Sequence, residues 1–277
     1  MSPSNTSFFF VPGGFSPGAY FHKVVDLLEQ KGYQAQALDL PSMDTTLKDQ
    51  GKIPGFYDDA DYLRTAVAQS LDSGKDAIIV ASSYGSAVTF EACKGLTTKD
   101  RVDGGKLKHL IVLGGLLCEA GPTVKELIGM EVPVANESDL DARMPFQDSS
   151  SALTPAPTLT HLPPMDPCLG AALLCASLPP DQQTHYLSMA KPICIQAFVQ
   201  PITFAGWKEV PTTLVIGEKD VILPLEKQEE SYRRAVESGV QGLAKVVVEG
   251  GDHLVMLSHA ERVVGICVGM DGEGQGV

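Results

Sequence analysis

The sequence predicts an α/β protein: a mostly parallel, six-stranded core sheet flanked by helices, with an inserted, largely helical lid. Three observations predict it. Short apolar runs of strand length alternate with segments whose apolar residues recur at helical spacing. Several of those runs end directly in turns that carry glycine, serine, aspartate or histidine. The alternation stops after Leu117 and resumes near Ile202, which divides the chain into a core of residues 1–117 and 202–277 and a lid or cap over 118–201.

The first strand is expected at Phe8–Val11, running into Pro12-Gly13-Gly14-Phe15-Ser16-Pro17-Gly18. Glycines packed this densely at a strand end leave backbone N–H groups uncovered, a setting for an anion or a developing negative charge. Tyr20 to Lys31 has Phe21, Val24, Val25 and Leu28 as an apolar stripe and stops at Gly32. Gln34–Leu38 reads as a second strand, and Ala60, Leu63, Val67 and Leu71 set a helix over about 57–73. Next comes the apolar run Ala77-Ile78-Ile79-Val80-Ala81, which breaks at Ser82-Ser83-Tyr84-Gly85 and continues as a helix through Cys93. His109–Leu113 is the fourth strand.

Within the insertion, Thr123–Ile128, Pro167–Ala176 and Asp181–Met189 have the composition of short helices, and Met144–Pro164 reads as an irregular lid segment. A long stretch without strands inside a globular chain is typically a functional cover. Beyond it, Pro211–Ile216 is a strand ending in Gly217-Glu218-Lys219-Asp220. Leu225–Val236 is a helix, and Lys245–Val248 a strand ending in Glu249-Gly250-Gly251-Asp252-His253. The last helix lies within Leu254–Cys267, and Gly269–Val277 reads as a frayed tail.

Composition narrows the function. With 277 residues the chain can bury a full core, and 44% hydrophobic and 20% charged residues are ordinary for a globular protein. A formal net charge of −13 opposes nucleic acid and anionic membrane surfaces as partners. The start, Met1–Ser7, is polar and lacks a positive charge, so no signal peptide is expected, and no apolar run approaches the length of a membrane span. The six cysteines are widely spaced in mostly apolar surroundings and form no C-x-x-C pair. They read as buried thiols of a cytoplasmic protein rather than as disulfides or a zinc site. No P-loop or dinucleotide fingerprint is present, so neither cofactor nor metal is expected.

Chemistry is carried by residues at strand ends. In parallel sheets ligands bind beyond the carboxyl ends of the strands, which brings the Gly13-Gly14 loop, Ser83, Asp220 and His253 to one edge. Ala81-Ser82-Ser83-Tyr84-Gly85 is a G-x-S-x-G elbow with alanine in the first glycine position. A serine hydroxyl needs a base within hydrogen-bond reach, and the base needs an acid to fix its tautomer. Ser83, Asp220 and His253 supply these types in the order nucleophile, acid, base. Backbone N–H groups of Tyr84 and of Gly14 or Phe15 are the oxyanion donors expected. Each role has a competitor: Ser82 for the nucleophile, Glu218 for the acid, His259 for the base. His22, His109, His161 and His185 read as surface, structural or lid residues, and Trp207 packs where the lid rejoins the core.

The chain resembles the α/β-hydrolase superfamily, in its compact cap-bearing branch of small esterases. That branch holds plant methylesterases and hydroxynitrile lyases, EstC-type bacterial esterases and hydrolases of fungal secondary metabolism. The resemblance rests on Phe9-Phe10-Val11-Pro12-Gly13-Gly14-Phe15, Ser82-Ser83-Tyr84-Gly85, Pro201-Ile202-Thr203-Phe204-Ala205-Gly206-Trp207, Val215-Ile216-Gly217-Glu218-Lys219-Asp220 and Gly250-Gly251-Asp252-His253, in family order. It implies a triad of Ser83, Asp220 and His253. Two departures stand out: Pro12-Gly13 replaces the His-Gly of many members, and Ser82 stands where many have histidine. The lyase members use a lid lysine, for which Lys191 has no convincing local match.

Together these features lead us to expect cleavage of an ester, lactone or thioester of a hydrophobic small molecule through an acyl-enzyme, in secondary (polyketide-type) metabolism, with an acyl-carrier-bound thioester within range. The alternatives are cyclase, lyase or isomerase use of the same residues, and a non-catalytic small-molecule binder.

Overall fold

The computed structural model describes residues 4–50, 53–130 and 161–272. In chain order its first half forms β1 (Thr6–Val11), α1 (His22–Gln30), β2 (Gln34–Ala37), α2 (Phe56–Asp72), β3 (Asp76–Ser82), α3 (Tyr84–Ala92), β4 (Leu107–Leu113) and α4 (Val124–Ile128). The second half forms β5 (His161–Leu162), α5 (Pro167–Leu174), α6 (Pro180–Ser188), β6 (Ile193–Cys194), α7 (Gln196–Val199), β7 (Thr212–Gly217), α8 (Leu225–Glu237), β8 (Leu243–Val248), α9 (Val255–Ser258) and α10 (Ala260–Asp271). Six of the strands make one sheet in the order β2-β1-β3-β4-β7-β8, every pair parallel. This is the expected α/β-hydrolase architecture.

The inner strands β1, β3, β4 and β7 are largely buried on both faces, which is why they read as continuous apolar runs, while the edge strands β2 and β8 are partly exposed. Period-two geometry sorts the side chains. Phe9, Val11, Ile79, Ala81, Leu110 and Val112 pack on one face with Leu63, Val67 and Leu71 of α2. Phe8, Phe10, Ile78, Val80 and Ile111 pack on the other with Val24 and Leu28 of α1 and Val263 and Ile266 of α10.

Strand order places the site. From β1 the chain passes outward to β2, then returns across β1 to β3. Loops leaving β1 and β3 therefore diverge, and a crevice opens between them at the carboxyl edge. The Gly13-Gly14 loop follows β1, and Ser83 follows β3.

β4 and β7 are sheet neighbours, and the excursion between them holds α4 to α7 and the antiparallel pair β5–β6. Asp166 caps α5 by accepting the Cys168 and Leu169 N–H groups, and proline stands in the first turn of both α5 and α6. Residues 144–160 of the expected irregular segment lie outside the described residues, and its end, His161–Leu162, is strand. The β5–β6 pair and α7 were not expected, because pieces this short carry no periodicity.

Three details correct the sequence expectations. The last helix is two: His259, at φ −133° and ψ 46°, separates α9 from α10. The tail is helical through Asp271, whose buried carboxylate accepts from Thr6 Oγ1 at 2.6 Å and Lys108 Nζ at 2.5 Å. Finally, all six cysteines are unpaired, but Cys168 is exposed while the other five are buried.

Candidate active site

Ser83 sits between β3 and α3 at φ 49° and ψ −119°. A non-glycine residue keeps such a conformation only where its surroundings over-determine it. Here the Ser83 N–H donates to the Leu113 carbonyl, and the Ser83 carbonyl accepts the Ser86 N–H, both at 3.0 Å. Gly85 makes the turn possible. A Cβ there would lie 2.6 Å from the Pro12 carbonyl oxygen and 2.7 Å from that of Val11, so only glycine lets α3 start this close to the first loop. Ala81 is wholly buried in β3 and needs no special backbone.

Among the described residues one other non-glycine has positive φ: Phe15, at 65°. It lies in the first loop, where Gly13 carbonyl accepts the Ser16 N–H at 3.2 Å. The excursion pins it, since the Phe15 carbonyl accepts the Lys191 N–H at 2.8 Å and its ring stacks on Phe198 with centroids 5.9 Å apart.

Asp220 and His253 meet across the ends of β7 and β8. The His253 Nδ1–H donates to Asp220 Oδ2 at 2.8 Å. A carboxylate oxygen only accepts, so Nδ1 carries the proton and Nε2 of the neutral ring is left as an acceptor. Asp220 is held from its other side: Oδ1 accepts the Ile222 and Leu223 N–H groups, each at 2.9 Å, and Oδ2 also accepts Gln228 Nε2 at 3.1 Å. The aspartate thus caps the following turn and orients the imidazole at once. The excursion is tied to the histidine loop as well. Asp252 Oδ2 accepts the Ser177 N–H at 2.9 Å, and the Leu254 N–H donates to the Leu174 carbonyl at 3.1 Å.

Ser83 and His253 border one cavity of about 380 Å³, together with Gly13, Gly14, Phe15 and Tyr84. Its remaining wall is mostly Leu, Ile, Val, Met and Pro, contributed largely by the excursion, and among the described residues no Asp, Glu, Lys or Arg lines it. Burial pushes the Cys118 thiol in this wall up to about 12, so it stays neutral. Burial likewise raises the phenol of Tyr20, whose hydroxyl donates to the Tyr186 carbonyl at 2.6 Å.

A parallel sheet with a strained serine elbow, and an Asp–His pair on the neighbouring strand ends, has a match among known families. Residues 8–266 match the alpha/beta hydrolase family. The chain belongs to that family. Over 215 residues this α/β hydrolase is 24% identical to the alpha/beta hydrolase nvfD of Aspergillus novofumigatus, covering 77% of this chain and 78% of that protein. It is 26% identical over 219 residues to the probable hydrolase R7 of a Phoma species, covering 79% of each. Its fold is similar to that of the methylesterase MES16 from Arabidopsis, at a TM-score of 0.68 and 17% identity, covering 97% of this chain and all of that one.

The competitors of this α/β hydrolase's site residues lie elsewhere or are enclosed. Ser82 borders the same cavity, but it is wholly buried and its Oγ has no hydrogen-bond partner. Glu218 accepts the Gly250 N–H at 2.8 Å, outside the cavity lining. His259 Nδ1 lies 2.9 Å from Ser258 Oγ. His109 lies within β4, 2.8 Å from Thr213 Oγ1, and burial lowers its pKa to about 4. Lys191 pairs with Asp39 at 3.1 Å and does not line the cavity. Trp207 is buried and donates to the Cys118 carbonyl at 2.7 Å, tying the two ends of the excursion together. Among the described residues no group of three or more His, Cys, Asp or Glu could hold a metal ion, and no helix is long and apolar enough to cross a membrane.

Sequence reasoning passed over Gly114, Gln228 and Asp59. At Gly114 φ is 54°, and a Cβ would lie 3.1 Å from Asp220 Oδ2 and 3.3 Å from His253 Nδ1. Its signal was a Gly-Gly directly after a strand. Gln228 had none, being one polar residue among many on α8.

Proposed function

We propose that this α/β hydrolase is a serine hydrolase that cleaves an ester-type bond (ester, lactone or thioester) of an uncharged hydrophobic small molecule. The observation that carries this reading is the buried Asp220–His253 pair, whose imidazole borders with Ser83 a cavity that no charged side chain among the described residues lines.

The shared cavity and the oriented imidazole support the following steps. His253 Nε2 takes the Ser83 Oγ proton as the oxygen attacks the substrate carbonyl, and Asp220 stabilises the imidazolium that forms. Charge on the carbonyl oxygen is received by the Tyr84 N–H and one from Gly14 or Phe15. The first N–H of a helix has no intrahelical acceptor, which leaves that of Tyr84 available. The imidazolium gives its proton to the leaving group, and the Ser83 acyl ester forms. Water, deprotonated by His253, then releases the acid and restores Ser83.

Substrate class follows from the wall. An apolar cavity of this volume suits a small hydrophobic acyl or aryl group, and an unpaired charge there would be costly. The resemblance to hydrolases of fungal secondary metabolism supports a place in such metabolism, and six unpaired cysteines support a reducing, cytoplasmic location.

The test is turnover of neutral aryl esters, lactones and thioesters by the wild type and Ser83→Ala, with intact-mass detection of the acyl-enzyme. Ser83→Ala should lower kcat by about 10⁴-fold or more. Unchanged turnover, or the absence of an acylated species with every active substrate, would refute the mechanism.

A further inference from the structure

Asp59 is buried at 0% exposure on α2, in a position where an apolar residue would cost less. Its Oδ2 accepts two hydroxyls, Ser42 Oγ at 2.6 Å and Tyr84 Oη at 2.7 Å, and its Oδ1 accepts the Ser42 N–H at 2.8 Å. One carboxyl therefore joins three segments: α2, the short helical turn Pro41–Met43 after β2, and the first residue of α3. That last residue follows Ser83 and carries the N–H assigned above to the oxyanion. Its side chain also reaches the other donor segment. A Cβ on Gly14 would lie 3.7 Å from Tyr84 Cβ and 3.1 Å from Phe198 Cζ, and the Tyr84 and Phe198 rings are 5.5 Å apart. The Tyr84 side chain thus starts beside the Gly14 peptide, packs on Phe198 and is anchored at its far end by Asp59.

We propose that Asp59 is a positioning residue for the reaction, holding the Tyr84 phenol so that the Tyr84 N–H and the Gly14–Phe15 loop keep the spacing an oxyanion needs. The proposal rests on the acyl-enzyme reading above. The groups facing this carboxyl do not supply an alternative anchor. Ser42 and Tyr84 are neutral donors, the Cys194 thiol on β6 is buried and neutral, and Asp58 beside it spends its own carboxylate on the Gly55 N–H at 2.7 Å. An exposed salt bridge would lose such a hold in water and salt. A buried hydrogen bond, shielded from both, keeps it.

The role differs from a structural one in what it moves. Removing one oxyanion donor costs roughly 10²–10³ in kcat, so misplacing it should cost a part of that, about 10-fold, while substrate binding in the apolar cavity persists. Tyr84→Phe removes only the hydroxyl and keeps the ring against Phe198. Asp59→Asn keeps the size of the side chain. With a neutral aryl ester, each variant should lower kcat about 10-fold with KM within about twofold, and the double variant should be no worse than either single one. Affinity for a trifluoromethyl ketone, which forms a tetrahedral adduct on the serine, should fall in proportion to kcat, while affinity for the product acid should not change. If Asp59→Asn fails to fold, Tyr84→Phe carries the test by itself. Ser83→Ala separates the two readings. Retained turnover in Ser83→Ala removes the acyl-enzyme reading and this proposal with it. Lost turnover in Ser83→Ala, with unchanged kcat or with a rise in KM of the same size in Tyr84→Phe, overturns the positioning role and leaves the acyl-enzyme reading standing.

Discussion

The imidazole of His253 and the carboxylate of Asp220 are held 2.8 Å apart with both side chains buried, and three further donors fix the carboxylate. Asp220's bonds to the Ile222 and Leu223 N–H groups and to Gln228 do not involve His253, so the acid is held independently of the base it orients. Asp220→Asn keeps the shape but allows the amide to donate toward Nδ1, which favours the wrong imidazole tautomer. The expected result is a fall in kcat of about 10⁴-fold with little change in KM, read from steady-state kinetics on a neutral aryl ester. A fall below about tenfold would show that Asp220 is not the orienting acid.

Gly114 offers a gentler probe of the same pair. Alanine there must accept a left-handed backbone, worth about 1–2 kcal/mol, and place a methyl at the tight distances given above from both Asp220 Oδ2 and His253 Nδ1. Gly114→Ala should unfold at lower urea and lose roughly 10-fold in kcat. The loss would come from displacing atoms that a ~1 Å error already penalises. A variant that is destabilised yet fully active would mean that the methyl turns away from the pair.

Much of this fold was readable because its sheet is parallel and central. Strands such as Ile78–Ala81 are buried on both faces, so they stand out as unbroken apolar runs, and α2 announces itself through Ala60, Leu63, Val67 and Leu71. The elbow was readable because Gly85 is demanded by backbone atoms of another loop. Asp59 was not read, although it lies three residues after Phe56 and four before Leu63, on the buried stripe of α2. A carboxylate on an apolar stripe is the signal that was available. The pairing of β5 with β6 and the break at His259 depend on contacts distant in sequence, and no local pattern encodes them.

The uncharged cavity makes a prediction about substrates. A matched pair of aryl esters of equal chain length, one ending in a methyl group and one in a carboxylate, should differ in kcat/KM by about 100-fold or more in favour of the methyl. No lysine or arginine among the described residues lines the wall to repay desolvation of the anion. Equal rates would place the acyl chain outside this cavity.

Asp59 also links stability to pH. Burial is the largest influence on its carboxyl and pushes it up to about 7, against the lowering effect of its bonds to Ser42 and Tyr84. The ordinary value is 3.8, so between about 4 and 7 the folded chain holds a proton that the unfolded chain has released. Its contribution is therefore fully present below about pH 4 and is lost as pH rises through about 7, at a slope of up to about 1.4 kcal/mol per pH unit. The other groups facing it do not reproduce this trend, since burial raises the Tyr84 phenol and pushes the Cys194 thiol up to about 11. Other carboxylates and histidines act equally in wild type and variant, so the difference between them isolates Asp59. Urea unfolding at intervals from pH 5 to pH 8 should show wild-type stability declining relative to Asp59→Asn, and the gap should level off above about pH 7.5. Parallel curves would mean that Asp59 stays ionised in the folded chain throughout this range. The hydroxyl bonds of Ser42 and Tyr84 would then outweigh the cost of its burial.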